Sequence, residues 1–362
     1  MTITYLDLSP AQRSSLDSLP FDGNHLVSGP PGSGKSLVAA QRALMLALTG
    51  TPTVLLTRSN LLRQTLAPVV AALGIEGHGV RVTTAHAWLA QWSDGQVPQT
   101  EAGWLDWAAS YRRAAVVDSG PAPALVIDEG QDLPVGFYRL CRVLGCRTTV
   151  YADECQRLTD ANSTMAEIAD GLGKCTRHTL AGNHRNTRQI AELAARFHTG
   201  ATTPELPDRH GPVPRLHRLD RSSAVTDLLM ALTERHPQHS IGVILSSARA
   251  QFDLLTQLER RSTRLRPQLY TSKATQGRYR ELELTRPGIV IVNRASAKGL
   301  EFDAVVVPDA HTDGATDPTS AALRMTYYVL ATRARHELHL GYEGSTEPPL
   351  LASVSAGVLL RR

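Results

Sequence analysis

The chain reads Gly29-Pro30-Pro31-Gly32-Ser33-Gly34-Lys35-Ser36 between a short apolar run, His25–Ser28, and a helical pattern, Leu37–Leu48. The spacing matches G-x-x-x-x-G-K-S, a phosphate-binding loop, and a preceding strand and following helix are the context that this loop requires. Glycines let backbone N–H groups converge on phosphate oxygens, and the helix start adds the positive end of its dipole. We therefore expect the loop to bind ATP, with Lys35 on the β- and γ-phosphates and the Ser36 hydroxyl on Mg²⁺.

A second signal is the run Leu125-Val126-Ile127-Asp128-Glu129, in which an apolar strand ends in two carboxylates. Ligands of open α/β sheets lie at the carboxyl ends of the strands, so the strand delivers both side chains to that edge. Asp128 is predicted to hold Mg²⁺, directly or through water. Glu129 is predicted to orient and deprotonate the attacking water.

Short apolar runs alternate with helical patterns along the whole chain, which predicts an α/β fold with parallel sheets covered on both faces. The predicted strands are His25–Ser28, Thr53–Thr57, Arg81–Thr84, Ala124–Ile127, Arg147–Tyr151, Arg177–Leu180, Ile241–Leu245, Ile289–Val292, Ala304–Val307 and Leu338–Gly341. We place a domain boundary near residue 180, which separates residues 1–180 from residues 181–362.

The composition is that of an ordinary globular protein, with 42% hydrophobic and 20% charged residues. The formal net charge is +4, and residues 1–180 carry −2 while residues 181–362 carry +6. This balance is compatible with a nucleic-acid partner without proving one. No apolar run approaches the ~20 residues of a membrane span, and Met1–Pro10 lacks the features of a signal peptide, so we expect a cytoplasmic protein without a membrane partner.

The segment Leu125–Asp132 resembles the D-E-x-Q-D box of superfamily 1 helicases. Further boxes of that family follow in chain order, and Ser296–Asp303 matches in full the S-A-K-G-L-E-F-D motif of the UvrD/Rep group. The other matching segments are Leu8–Gln12, Thr83–His86, Ala152–Gln156, Leu180–Arg185 and Tyr328–Arg335. Because the ordered set spans most of the chain, the resemblance implies two tandem RecA-like P-loop NTPase domains with ATP at the cleft between them.

The resemblance also implies roles for individual residues. Gln12 would read adenine, His184 would stack near it, and Glu301 would contact the ribose. Gln156 would sense the γ-phosphate, while Arg185 and Arg333 would stabilise charge on the transferred phosphoryl group, Arg333 as the arginine finger. Single-stranded nucleic acid would lie along Arg58, Thr84 and His86, with DNA favoured over RNA and a 3′ to 5′ polarity.

The chain departs from that family in two respects. Only residues 87–123 separate the T-x-H box from the Asp128 strand, so the accessory subdomains of the UvrD/Rep group are expected to be absent. This insert holds all four tryptophans, which either pack as a small cap or stack on bases. Arg58 stands where the family has a base-stacking aromatic, which weakens the expectation of processive unwinding but not of ATP hydrolysis.

Three functions are consistent with these patterns to different degrees. The favoured one is a minimal superfamily 1 nucleic-acid translocase or helicase. The alternative is a nucleic-acid-dependent ATPase switch or motor subunit that works with a partner protein, in a defence or repair complex, without unwinding alone. A small-molecule kinase would share the phosphate-binding loop but leaves the boxes at Asn183–Arg185 and Lys298–Asp303 unexplained.

Overall fold

The computed structural model describes residues 5–73, 79–101, 103–117, 120–153, 163–199, 205–221, 223–262, 265–272, 277, 279–313 and 317–362. The chain divides into two compact units, Met1–Gly182 and Asn183–Arg362. The division falls two residues beyond the boundary expected from the sequence. No helix among the described residues is long and apolar enough to cross a membrane.

The first unit is a six-stranded sheet with helices on both faces. Its strands are β1 (Asn24–Ser28), β2 (Thr53–Thr57), β3 (Val80–Thr84), β4 (Ala124–Ile127), β5 (Arg147–Ala152) and β6 (Cys175–Thr179). Its helices are α1 (Pro10–Asp17), α2 (Lys35–Leu48), α3 (Asn60–Leu73), α4 (Ala85–Ser93), α5 (Trp107–Val116), α6 (Val135–Val143) and α7 (Met165–Leu172). The strand order is β3-β2-β4-β5-β1-β6, and every pairing is parallel.

Strand β4 shows why this sheet needs helices on both faces. Its four residues are fully buried, and successive side chains point to opposite faces. Leu125 and Ile127 join a core cluster with Trp88, whereas Ala124 and Val126 join the cluster on the other face. A strand buried on both sides reads as a continuous apolar run, which is the pattern that predicted it.

The second unit is a seven-stranded parallel sheet. Its strands are β7 (Arg215–Arg218), β8 (Ser240–Leu245), β9 (Gln268–Leu269), β10 (Gly288–Asn293), β11 (Phe302–Val307), β12 (Ala334–Tyr342) and β13 (Leu360–Arg361). Its helices are α8 (Arg188–Phe197), α9 (Ala224–Arg235), α10 (Ala248–Arg261), α11 (Arg294–Ala297), α12 (Ala321–Ala331) and α13 (Pro349–Ala352). The order is β13-β7-β12-β11-β8-β10-β9.

The sequence predicted four of these seven strands and missed β7, β9 and β13. Strands β9 and β13 are two residues long and lie at the edges of the sheet. Strand β7 reads Arg-Leu-His-Arg, and only Leu216 in it is buried. Such short or polar segments show no alternation of apolar and polar residues. They form strands because they pair with neighbouring strands of the sheet.

Candidate nucleotide-binding site

The predicted phosphate-binding loop, Gly29–Ser36, follows β1 and runs into the start of α2 in the first unit, as the motif requires. Gly32 and Gly34 have φ angles of 83° and 85°, in the left-handed region that glycine adopts at little cost. Lys35 opens α2 and donates from Nζ to the carbonyls of Gly29 and Pro30 over 2.6 and 2.9 Å. The lysine is 6% exposed, so its ammonium group is held directly over the loop.

Gln12 is held against this loop by the start of α1. Its backbone N–H and side chain complete a capping box with Ser9, and its Nε2 donates to the Ser33 carbonyl over 3.0 Å. A Cβ at Gly34 would come within 2.2 Å of Gln12 Nε2, so a larger residue at position 34 would displace the glutamine. The structure therefore brings Gln12, the predicted adenine-reading residue, to the phosphate-binding loop.

Asp128 ends β4 as a fully buried carboxylate beside the loop. Among the described residues, neither of its oxygens has a partner with full hydrogen-bond geometry, although the Ser36 hydroxyl is close enough to interact with the carboxylate. Burial and then the Glu129 charge raise the pKa of Asp128 to about 7, against the opposing effects of the Ser36 hydroxyl and Lys35. Because carboxylate and hydroxyl oxygens suit Mg²⁺, Asp128 and Ser36 fit the ion that the sequence predicted.

A Mg²⁺ ion held there would neutralise charge on the β- and γ-phosphates. No group of three or more His, Cys, Asp or Glu side chains among the described residues is placed to hold a metal ion. Magnesium commonly relies on one or two protein ligands together with phosphate oxygens and water.

Glu129 is connected to Lys35 through two residues to which the sequence assigned no role. Gln131 Nε2 donates to Glu129 Oε2 over 2.5 Å, and Gln131 Oε1 accepts from the Asp153 N–H over 3.0 Å. Asp153, at the end of β5, pairs with Lys35 Nζ over 3.3 Å. The side chains of this network are each 6% exposed or less, so they are shielded from bulk solvent and their hydrogen bonds define one geometry.

Glu129 itself has a φ angle of 54°, which is unusual for a residue other than glycine. The next residue, Gly130, is packed so tightly that a Cβ would lie 2.3 Å from Val150. The sharp turn after β4 therefore aims the Glu129 carboxylate while Gln131 holds its oxygen. Both Gln131 and Asp153 lie inside boxes matched in the sequence, which is the signal that could have identified them.

Gln156, the predicted γ-phosphate sensor, lies outside the described residues.

The second unit brings together Arg185 and Glu301 at the amino end of β11. Arg185 Nε donates to Glu301 Oε2 over 2.5 Å, and Arg335 lies 4.0 Å from the same carboxylate. Desolvation alone would raise the pKa of Glu301, but the Arg185 and Arg335 charges outweigh it and hold the pKa below its ordinary value. His184, beside Arg185, is exposed.

Arg333, the predicted arginine finger, is fully buried in the second unit. Its Nε donates to the Val329 carbonyl over 2.9 Å, and its Nη1 donates to the Leu300 carbonyl over 3.3 Å. Its Nη2 donates to Thr332 Oγ1 over 3.0 Å. The guanidinium would have to leave these acceptors to reach a phosphate, so its catalytic role stays a prediction while its packing role is observed.

We expect Arg333→Ala to lower the free energy of unfolding by about 3 kcal/mol, because it leaves a cavity and buried carbonyls without a donor. Thermal unfolding followed by circular dichroism checks this. The matched control is Arg185→Ala, which removes a partly exposed ion pair and is expected to cost about 1 kcal/mol or less. Equal melting temperatures for both variants would contradict the packing role.

Two of the nucleic-acid candidates contact each other at the edge of the first sheet. Arg58 follows β2 and His86 lies in the first turn of α4, and Arg58 Nη1 is 3.2 Å from His86 Nδ1. The Thr84 hydroxyl caps α4 by accepting from the Ala87 N–H over 3.2 Å. The three predicted residues therefore share the carboxyl edge of neighbouring strands, and Thr84 also has a structural role.

Solved structures of other proteins have a similar fold. Dbp5 from S. cerevisiae, bound to RNA and ADP BeF3, is 12% identical, with a TM-score of 0.57 over 98% of this chain and 89% of that one. The fold is that of two tandem RecA-like domains. At this identity the likeness shows the fold alone, and it confirms the fold class predicted from the sequence.

Two further helicase structures are similar over different extents. The C-terminal domain of a possible DNA helicase from Lactobacillus plantarum is 26% identical over 49% of this chain and 97% of that one, with a TM-score of 0.37. The PRRSV helicase is 13% identical over 92% of this chain, with a TM-score of 0.47. The chain spans 54% of that helicase's length. No protein-family model and no curated protein matches the chain.

Proposed function

We propose that this protein is an ATP-dependent nucleic-acid translocase or helicase of the UvrD-like superfamily 1 group. The observation that carries the proposal is the buried network in which Lys35, Asp153, Gln131 and Glu129 link the phosphate-binding loop to the turn after β4. This network joins the group that binds the phosphates to the carboxylate placed to activate water. The ordered helicase boxes and the RecA-like fold support the nucleic-acid part of the proposal.

The proposal assigns a step to each side chain. The loop N–H groups and Lys35 bind the ATP phosphates, and Ser36 and Asp128 would hold Mg²⁺. Glu129, held by Gln131, accepts a proton from the attacking water. Arg185 of the second unit contributes positive charge during hydrolysis, and Gln12 reads the base. The expected track is single-stranded DNA, followed from 3′ to 5′.

We expect single-stranded DNA to raise the ATP turnover of the purified chain several-fold. The test measures the ATPase rate without polynucleotide, with single-stranded DNA, with single-stranded RNA and with blunt duplex DNA. Strand displacement on duplexes with 3′ or 5′ tails then tests polarity. An ATPase rate that no polynucleotide changes would contradict the proposed function.

The departure at Arg58 favours one alternative, an ATPase motor subunit that depends on a partner protein for unwinding. That alternative predicts stimulation by single-stranded DNA without strand displacement by the chain alone. Strand displacement by the purified chain alone would exclude this alternative. Displacement of the 3′-tailed and the 5′-tailed duplex alike would show that the assigned 3′ to 5′ polarity is wrong.

A further inference from the structure

The backbone at Trp104 is tied to the core of the first unit. Gln99 and Leu105 form an antiparallel bridge, and the Thr100 N–H donates to the Trp104 carbonyl over 2.6 Å. Leu105 is 4% exposed and packs in the core cluster on that face of the sheet. The backbone on either side of the indole is thus anchored, while the indole itself is only half-buried.

One face of the indole is covered by the two predicted nucleic-acid residues. The His86 ring stacks on Trp104 with centroids 4.0 Å apart and an interplanar angle of 27°, and Arg58 Cζ lies 5.0 Å from the Trp104 centroid. Because Arg58 Nη1 is 3.2 Å from His86 Nδ1, the guanidinium and the imidazole cannot lie on opposite faces of the indole. Arg58, His86 and Trp104 therefore form one compact stack.

The charge state of the stack suits this packing. Burial, reinforced by the Arg58 charge, lowers the pKa of His86 to about 4. The imidazole is thus neutral near pH 7 and does not repel the guanidinium. Arg58 is exposed and carries the stack's one positive charge.

The other tryptophans of the insert already have structural partners. Trp88 is buried against Phe137 with ring centroids 5.8 Å apart, and the Arg113 guanidinium lies 5.8 Å from the Trp92 centroid. Trp107 packs over Gly136, where a Cβ would come within 2.6 Å of its ring. The cap interpretation of the insert accounts for these three. Trp104 also packs against this core cluster, with its ring centroid 6.1 Å from that of Trp107, but among the described contacts it alone of the four stacks on Arg58 and His86.

We propose that Trp104 and Arg58 form a base-stacking contact for single-stranded nucleic acid. The exposed part of the indole lies against a base, and the Arg58 guanidinium stays beside it, within reach of the backbone phosphate. The insert then supplies the aromatic surface that the residue at position 58 lacks. This inference rests on the proposed function and names a contact within its nucleic-acid track.

The stack lies where a strand of nucleic acid would meet the sheet edge. Arg58 follows β2 and His86 follows β3, and these strands are parallel neighbours, so both side chains emerge at the same carboxyl edge. Stacking on an aromatic side chain tolerates any base, since every base has a π-face, and a nearby arginine adds charge attraction to the backbone. The contact would therefore bind the strand without sequence specificity.

The test measures binding of the full chain to two fluorescein-labelled oligonucleotides of equal length, oligo(dT) and one with abasic sites, by fluorescence anisotropy. A stacking contact requires the base, so wild-type protein is expected to prefer oligo(dT) by about 10-fold. Trp104→Ala is expected to weaken oligo(dT) binding by about 10-fold and to lose this preference. Trp104→Phe keeps an aromatic ring and is expected to retain the preference.

Trp92→Ala is the matched control, because Trp92 is a half-buried tryptophan of the same insert whose ring lies against the Arg113 guanidinium. It is expected to bind both oligonucleotides as the wild type does. Equal weakening of both oligonucleotides by Trp104→Ala, or an unchanged preference, would overturn the stacking contact while leaving the proposed function intact. Failure of the wild-type chain to bind any polynucleotide would overturn the proposed function as well.

Discussion

Lys35→Ala is expected to reduce ATP turnover by at least about 1,000-fold, because in the proposed function the lysine supplies the charge that stabilises the β- and γ-phosphates during transfer. In the structure this ammonium lies over the loop, on the carbonyls of Gly29 and Pro30 and on Asp153. A steady-state ATPase assay at saturating ATP measures the loss. Lys174→Ala, which removes an exposed lysine of the same unit, is expected to keep wild-type turnover.

Lys35→Ala also leaves the buried Asp153 carboxylate without its cation, which can destabilise the unit by itself. Lys35→Arg separates the two effects. It keeps a positive charge for Asp153, but its planar fork does not fit a loop shaped around a point charge. We expect Lys35→Arg to melt near the wild type and still to lose turnover, and an active Lys35→Arg protein would contradict the phosphate-binding assignment.

Glu129→Gln is expected to bind ATP with near wild-type affinity and to lose turnover by at least about 1,000-fold. The change is isosteric, and it removes the ability to accept a proton from water together with one negative charge. Calorimetric titration with ATP measures binding, and a single-turnover assay measures hydrolysis. An exposed carboxylate of the same unit, in Glu101→Gln, serves as the control for charge alone.

Retention of turnover by Glu129→Gln would show that another group activates the water. We expect Glu129 to be the group that activates water, since Gln131 already donates to the Glu129 carboxylate over 2.5 Å. This contact fixes the direction of the carboxylate, and the left-handed turn at Glu129 fixes the position of its backbone. Asp153, the carboxylate that follows β5, is instead paired with Lys35.

Strands β2 and β4 of the first unit were predictable because all of their residues are buried, which leaves largely apolar runs in the sequence. Strand β4 begins and ends at the predicted residues, and β2 does so too. The second unit was harder where a strand is short or polar, as in β7, since pairing with β12 makes it a strand. The phosphate-binding loop was predictable for a different reason, because its chemistry is local and needs only contiguous residues.

The sequence by itself determined the loop at Gly29–Ser36, the carboxylates after β4 and a parallel α/β fold, since each is encoded in neighbouring residues. Only the tertiary structure decided which distant side chains meet, because chain folding rather than spacing sets those distances. It joined Glu129 to Lys35 through Gln131 and Asp153, and it stacked Arg58 and His86 on Trp104. It also placed Arg333 among buried carbonyls, because the interior must satisfy each donor that it encloses.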